Sequence, residues 1–266
     1  MVKVVIFVGA TGQRSTGTGS VIKPKAATNV VANARQADRC YDTIAPPPWD
    51  AVFLAAWDDM TSQLAGHVAS AGYSDTVVAL RLTGLNASTA ETHLPAQSPA
   101  KLSNPPACLT VDSVAVWQAA GYTPIKIQTA WSAMVTSWAT HFPGLPFELV
   151  LWPGVNNRFP PIDDSGTIVT PTAAADQARY DAMVAEAARQ LGSRLMVGTW
   201  FLMNGTAADA VTVGYANQYG IATLWQTNLW RRSYETGSDT LSKRHPRHPP
   251  DAHPVIQLRS LFLVSF

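Results

Sequence analysis

The chain has 266 residues, of which 47% are hydrophobic and 14% are charged, a composition typical of folded rather than disordered proteins. Its formal net charge of +1 gives no electrostatic reason to expect nucleic acid or an anionic membrane as a partner. No apolar run approaches the roughly 20 residues of a membrane-spanning helix. Taken together, the charge and the absence of such a run mean that neither nucleic acid nor a membrane is an expected partner.

The chain opens with an apolar run at residues 4–8, which predicts a buried strand better than a signal peptide because glycines follow so soon. The loop from Gly9 to Gly12 resembles the start of a dinucleotide-binding loop. Ser15 stands where a third glycine is needed, and no helical pattern follows. A simple strand-to-loop turn is favoured, and a nucleotide-binding oxidoreductase is kept as a third functional hypothesis.

After Trp49 the sequence alternates between amphipathic helices and apolar strands. Helices are predicted at about 50–71, 111–120, 130–142, 173–191 and 207–219, and strands at 77–85, 147–152, 195–202 and 221–228. Asp50 and Thr172 are the predicted caps of two of these helices. Such alternation implies parallel pairing with right-handed crossovers. The predicted order of neighbouring strands is the order in the chain.

This pattern predicts an α/β fold of the (β/α)8 barrel type, with residues 1–230 forming a single domain. Residues 13–48 show no clear periodicity, so the barrel is expected to be incomplete or atypical in its N-terminal units. Residues 231–266 form an atypical tail rich in proline and histidine, with an apolar end.

In a barrel, chemistry is carried by the loops that follow the strands at their C-terminal ends. The loop after the strand at 77–85 contains Asn86, Glu91 and His93, which makes it the first candidate site. The alternative is a solvated polar loop without a function.

Three tryptophans, Trp152, Trp200 and Trp225, stand near the C-terminal ends of predicted strands. Indole faces there would suit the C–H faces of a sugar ring, and Gln226 and Asn228 could bind its hydroxyl groups. The alternative is that these tryptophans only fill the core.

Several motifs together resemble bacterial glycoside-hydrolase-like (β/α)8 barrel proteins over roughly residues 40–230. They are Pro46-Pro-Pro-Trp-Asp50, Thr83-Gly-Leu-Asn86 with Thr89-Ala-Glu-Thr-His-Leu-Pro95, Phe159-Pro-Pro-Ile162 and Trp225-Gln-Thr-Asn228. In the related retaining β-glycosidases an Asn-Glu pair ends the fourth strand and supplies the acid/base, and a glutamate on the seventh strand is the nucleophile. Here four residues separate Asn86 from Glu91, and Gln226 holds the seventh-strand position.

Glycosidic cleavage usually needs two carboxylates about 5 to 9.5 Å apart. Of the four glutamates, Glu148 begins a strand at the wrong end of the barrel and Glu186 lies within a helix. Glu91 is therefore the predicted general acid/base. The second carboxylate is left open among Asp163, Asp164 and Glu235.

The leading hypothesis is a glycoside hydrolase whose partner is a carbohydrate, and the alternative is a non-catalytic carbohydrate-binding barrel that lacks the nucleophile. No cofactor and no metal are expected, because the histidines at 245, 248 and 253 lie in a proline-rich tail without a nearby carboxylate pair. Cys40 and Cys108 are expected to be free thiols, with a disulfide as the alternative.

Overall fold

The computed structural model describes residues 4–6, 31–32, 44–85, 92, 94, 96, 112–151, 158–199 and 207–224. Its strands are β1 (Val4–Ile6), β2 (Val31–Ala32), β3 (Ile44–Ala45), β4 (Val77–Arg81), β5 (Phe147–Leu151), β6 (Leu195–Thr199) and β7 (Ala222–Thr223). Its helices are α1 (Ala51–Ser70), α2 (Ser113–Ala119), α3 (Pro124–His141), α4 (Ala173–Leu191) and α5 (Ala207–Tyr219). Within these ranges no helix combines the length and the apolar character needed to cross a membrane.

Five strands form a parallel sheet in the order β1-β4-β5-β6-β7. The prediction that the strands near residues 77, 147, 195 and 221 are parallel neighbours in chain order is therefore confirmed. β2 and β3 pair with each other in a separate antiparallel sheet, within the segment predicted to be irregular. The chain is thus an α/β protein with sequentially connected parallel strands, and the closed eight-stranded barrel remains a prediction.

The helices begin where side chains can cap them. The Asp50 carboxylate accepts hydrogen bonds from the backbone N–H groups at the start of α1, and the Thr172 hydroxyl does the same for α4. Both caps were predicted from the sequence. The start of α3 was predicted wrongly at residue 130, because Thr123 caps it and Pro124 occupies its first turn.

The helices α1, α3, α4 and α5 all contribute to one large hydrophobic core on a single face of the sheet. The strand side chains that share this core include Leu80, Leu82, Phe147, Leu149 and Val197. The opposite face carries a smaller cluster with Ala79, Met196 and Leu224. In the part of the chain that the structure describes, these four helices therefore pack on the same face of the sheet.

A buried ion pair lies on the face opposite the helices. Arg81 and Glu148 are register partners on β4 and β5, and each side chain is 1% exposed. Both Nε and Nη2 of Arg81 lie 2.6 Å from Oε2 of Glu148. Burial raises the pKa of Glu148, and the adjacent guanidinium opposes that rise. Glu148 is the second residue of β5, in agreement with the prediction that it lies at the beginning of a strand.

Gly198 on β6 leaves space for this pair. A Cβ at position 198 would collide with the carbonyl oxygen of Leu224 and would lie 3.2 Å from Oε1 of Glu148. Any larger residue would therefore separate β6 from the segment that follows β7 and crowd the carboxylate.

We expect that removing either member of the Arg81–Glu148 pair destabilises the fold, because it deprives a buried charge of this oppositely charged neighbour. The variants Arg81→Met and Glu148→Gln should each lower the free energy of unfolding by about 3–5 kcal/mol. The double variant should lose less than the sum of the two single losses, as measured by urea denaturation. Strictly additive losses would contradict a coupled pair.

Candidate active site

Most residues of the predicted site lie outside the described residues. They are Asn86, Glu91, His93, Trp152, Trp200, Trp225, Gln226, Asn228 and Glu235. Gly9, Gly12, Cys40 and Cys108 also lie outside them. Asp163 and Asp164 are described, as are the segments that frame the loops after β4 and β5.

The chain leaves the sheet after β4 and meets it again at Thr92, at the C-terminal ends of the strands. The backbone N–H groups of Leu80 and Leu82 donate to the carbonyls of Pro146 and Glu148, so the next bond of this series would go from Gly84 to Val150. Instead, the Val150 carbonyl accepts from the N–H of Thr92 at 3.0 Å. Thr92 therefore lies beside β5 and makes the backbone hydrogen bond that a longer β4 would have made to Val150.

Gly84 is the residue at which the chain leaves the sheet. Its φ is +130°, a conformation that side chains other than glycine rarely adopt. A Cβ there would also collide with Sδ of Met134 on α3. A glycine therefore suits the start of the loop, because the backbone at this point packs directly against α3.

The return of the loop is held by α4 and by the loop after β5. The phenol of Tyr180 donates to the Thr92 carbonyl at 2.9 Å, and the N–H of Leu94 donates to the Arg158 carbonyl at 2.8 Å. Thr92 and Leu94 are both buried. The loops that follow β4 and β5 are therefore joined to each other at the C-terminal edge of the sheet.

Asp176, in the first turn of α4, fixes the loop after β5. Its carboxylate accepts a hydrogen bond of 2.8 Å from the N–H of Arg158 and forms an ion pair of 3.0 Å with Arg179. Arg179 also donates to the Ile162 carbonyl and lies over the ring of Phe159. Burial raises the pKa of Asp176, although these hydrogen bonds and the guanidinium oppose the rise.

Asp163 stabilises a turn within the same loop. Its Oδ1 accepts from the N–H and hydroxyl groups of Ser165, at 3.0 and 2.6 Å, and from the N–H of Thr167 at 2.9 Å. The hydroxyl of Ser165, followed by the N–H of Thr167, lowers the pKa of this carboxyl below its usual range. Asp163 is thus an ionised carboxylate that already holds local structure.

Asp164 links the loop to α3. Its Oδ1 accepts from the N–H of Ile125 at 3.1 Å, in the first turn of that helix. Nearby, the Gln118 side chain of α2 donates to the Gly166 carbonyl. A carboxylate at a helix N-terminus is stabilised by the helix dipole, which is a structural role for Asp164.

The sequence analysis assigned no role to Thr92, Asp176 and Tyr180, which hold the loops after β4 and β5 in place. Asp176 and Tyr180 lie one helical turn apart on a helix that was predicted correctly, so a polar pair on its buried side was a usable signal. No comparable local signal marks Thr92, whose partners are distant in sequence. Among the described residues, no group of three or more potential ligands could hold a metal ion.

Neither a protein-family model nor a curated protein sequence matches this chain. Among solved structures, the chain is similar to endo-glycoceramidase II from Rhodococcus sp., determined as a cellobiose-like imidazole complex, with 13% identity and a TM-score of 0.26. The matched region covers 66% of this chain and 41% of that chain, so this chain spans less than half of that protein. Similarity at this level assigns neither a family nor an activity.

We expect Tyr180→Phe to loosen the return of the loop, because it leaves the buried Thr92 carbonyl without its phenolic donor. The free energy of unfolding should fall by about 1–2 kcal/mol. Hydrogen–deuterium exchange should become faster in the peptide that spans residues 92–96.

The matched control is Tyr215→Phe, since the Tyr215 phenol donates to Asp181, a partner outside the loop. This variant should leave exchange at residues 92–96 unchanged. Equal exchange in Tyr180→Phe and the wild-type protein would show that the phenol does not hold the loop.

Proposed function

We propose that this chain is a carbohydrate-active protein of the glycoside-hydrolase type, with Glu91 as the general acid/base at the C-terminal edge of the sheet. The observation that carries the proposal is the hydrogen bond from Thr92 to the Val150 carbonyl. In sequentially wound parallel α/β folds, chemistry is concentrated at this edge.

Chain connectivity supports the placement of Glu91. Glu91 immediately precedes Thr92, and consecutive Cα atoms are only about 3.8 Å apart. Trp152 immediately follows Leu151, the last residue of β5. The proposal therefore brings the carboxyl group and the indole to neighbouring positions on one rim, together with Asn86 and His93 of the same loop.

This neighbourhood suits acid catalysis. An indole beside a carboxyl group excludes water and raises the carboxyl pKa, which keeps the acid protonated near neutral pH. Such an acid can protonate the leaving oxygen of a glycosidic bond, while a tryptophan face stacks on the sugar ring. Trp200, Trp225, Gln226 and Asn228 are the further ligand-binding residues that we propose.

A non-catalytic carbohydrate-binding barrel is the second candidate, and one observation favours it. Two candidates for the second carboxylate, Asp163 and Asp164, already hold a turn and a helix start. Glu235 is the third candidate for this role. If none of these carboxylates reaches the sugar, the aromatic site would bind a carbohydrate without cleaving it.

The test of acid catalysis uses Glu91→Gln with a panel of phenyl glucosides, xylosides and mannosides. Phenolate leaves poorly, so the loss of the proton donor should lower the rate on the susceptible substrate by about 10²- to 10⁴-fold. The first step on the matching dinitrophenyl glycoside should lose much less, because that leaving group needs no protonation. Binding of the sugar should persist.

Glu186→Gln is the matched control. Glu186 lies on α4, where its carboxylate accepts from Ser132 and pairs with Arg189, so this variant should keep its activity. A Glu91→Gln variant with full activity on the phenyl glycoside would remove Glu91 from the mechanism. A wild-type protein that binds oligosaccharides and cleaves none would favour the binding barrel instead.

A further inference from the structure

The hydroxyl of Thr83 is buried without a hydrogen-bond partner. Thr83 is 2% exposed, and its Oγ1 has no partner within hydrogen-bond distance among the parts of the chain that the structure describes. Buried hydroxyl groups are almost always satisfied, because leaving one unpaired is destabilising. An unpaired buried hydroxyl group therefore calls for a structural or functional reason.

Thr83 lies on the face of the sheet that is opposite the helices. The bonds from Leu80 and Leu82 to the backbone of Pro146 and Glu148 keep the chain extended up to this point. Residues two apart on an extended chain share a face, so Thr83 lies on the face of Arg81, opposite the helices.

Four other side chains of the described core, Trp57, Trp117, Tyr122 and Trp138, also have a buried polar atom without a hydrogen-bond partner. All four side chains are part of the hydrophobic cluster on the helical face. Thr83 differs from them because it lies on the face that would be the interior of a barrel. It also lies two residues beyond the C-terminal end of β4, immediately before Gly84.

We propose that the Thr83 hydroxyl is a hydrogen-bonding group for a sugar hydroxyl at the base of the carbohydrate site. This inference rests on the proposed function and adds a specificity-determining residue to it. A threonine hydroxyl both donates and accepts, as does a sugar hydroxyl, so the two groups can satisfy each other. Thr92, the residue after Glu91, donates to the Val150 carbonyl on β5, the strand that pairs with β4, and Thr83 lies two residues beyond the end of β4.

The rigid surroundings of Thr83 support this role. The next residue, Gly84, lies directly against Met134 on α3 and Trp57 on α1, so the backbone has little room to move. Below Thr83, the Arg81–Glu148 pair fills the same face. A hydroxyl held in this way is preorganised, and binding does not require it to give up a protein partner.

The test compares Thr83→Val with Thr83→Ser. Val has nearly the shape of Thr without the hydroxyl, and Ser retains the hydroxyl. Affinities are measured by calorimetry with cello-, xylo-, manno-, chito- and maltotetraose. For any tetraose that binds the wild-type protein, Thr83→Val should bind about tenfold more weakly and Thr83→Ser within about twofold. The Tm of Thr83→Val should stay unchanged or rise by about 2–4 °C, because an unpaired buried hydroxyl has been removed.

Thr61→Val is the matched control on the helical face. The Thr61 hydroxyl contacts the Trp57 and Asp58 carbonyls and Ser137, so its removal should lower the Tm without changing sugar affinity. Equal affinities of the Val and Ser variants at position 83 would overturn the inference while leaving the proposed function in place. Binding of none of the tetraoses to the wild-type protein would overturn both.

Discussion

The arrangement at the C-terminal end of the sheet depends on a change in which part of the chain donates backbone hydrogen bonds to β5. Leu82, just beyond β4, donates to the Glu148 carbonyl of β5, and Thr92 takes the following position at the Val150 carbonyl. The chain between them must leave and return at the same edge, because both of its ends are fixed to the sheet. Gly84 permits the departure, and Tyr180 secures the return. A polar loop is thereby tied to the edge where α/β proteins place their sites.

The two faces of the sheet serve different purposes. The helical face is a continuous apolar core, as expected for helices that follow one another along a parallel sheet. The opposite face holds an ion pair, a threonine hydroxyl and a glycine beside a small apolar cluster with Met196 and Leu224. A buried ion pair contributes little net stability, but it strongly disfavours any register that separates the two charges. We infer that the Arg81–Glu148 pair helps to specify the alignment of β4 with β5.

Much of the fold follows from local sequence signals. Asp50 and Thr172 mark helix starts, and four strands with sequential neighbours follow from the alternation of strands and helices. The early start of α3 was missed although Thr123-Pro124 is a local signal for it. The site depends on contacts that are distant in sequence: Tyr180 lies 88 residues from Thr92, and Arg81 lies 67 residues from Glu148. The pairing of such residues depends on strand register and loop return, which no local pattern encodes.

The proposed cleavage of a glycosidic bond requires a second carboxylate near Glu91. Asp163 and Asp164 belong to the loop after β5, which is joined to the returning loop through Leu94 and Arg158. The most direct measurement is the distance between the Glu91 carboxylate and the nearest other carboxylate at the sheet edge, in a crystal structure with a bound oligosaccharide. If the protein is a glycoside hydrolase, we expect a separation of about 5 to 9.5 Å, with the sugar between the two carboxylates. A Glu91 side chain directed away from the sugar, or no second carboxylate within that range, would contradict the account.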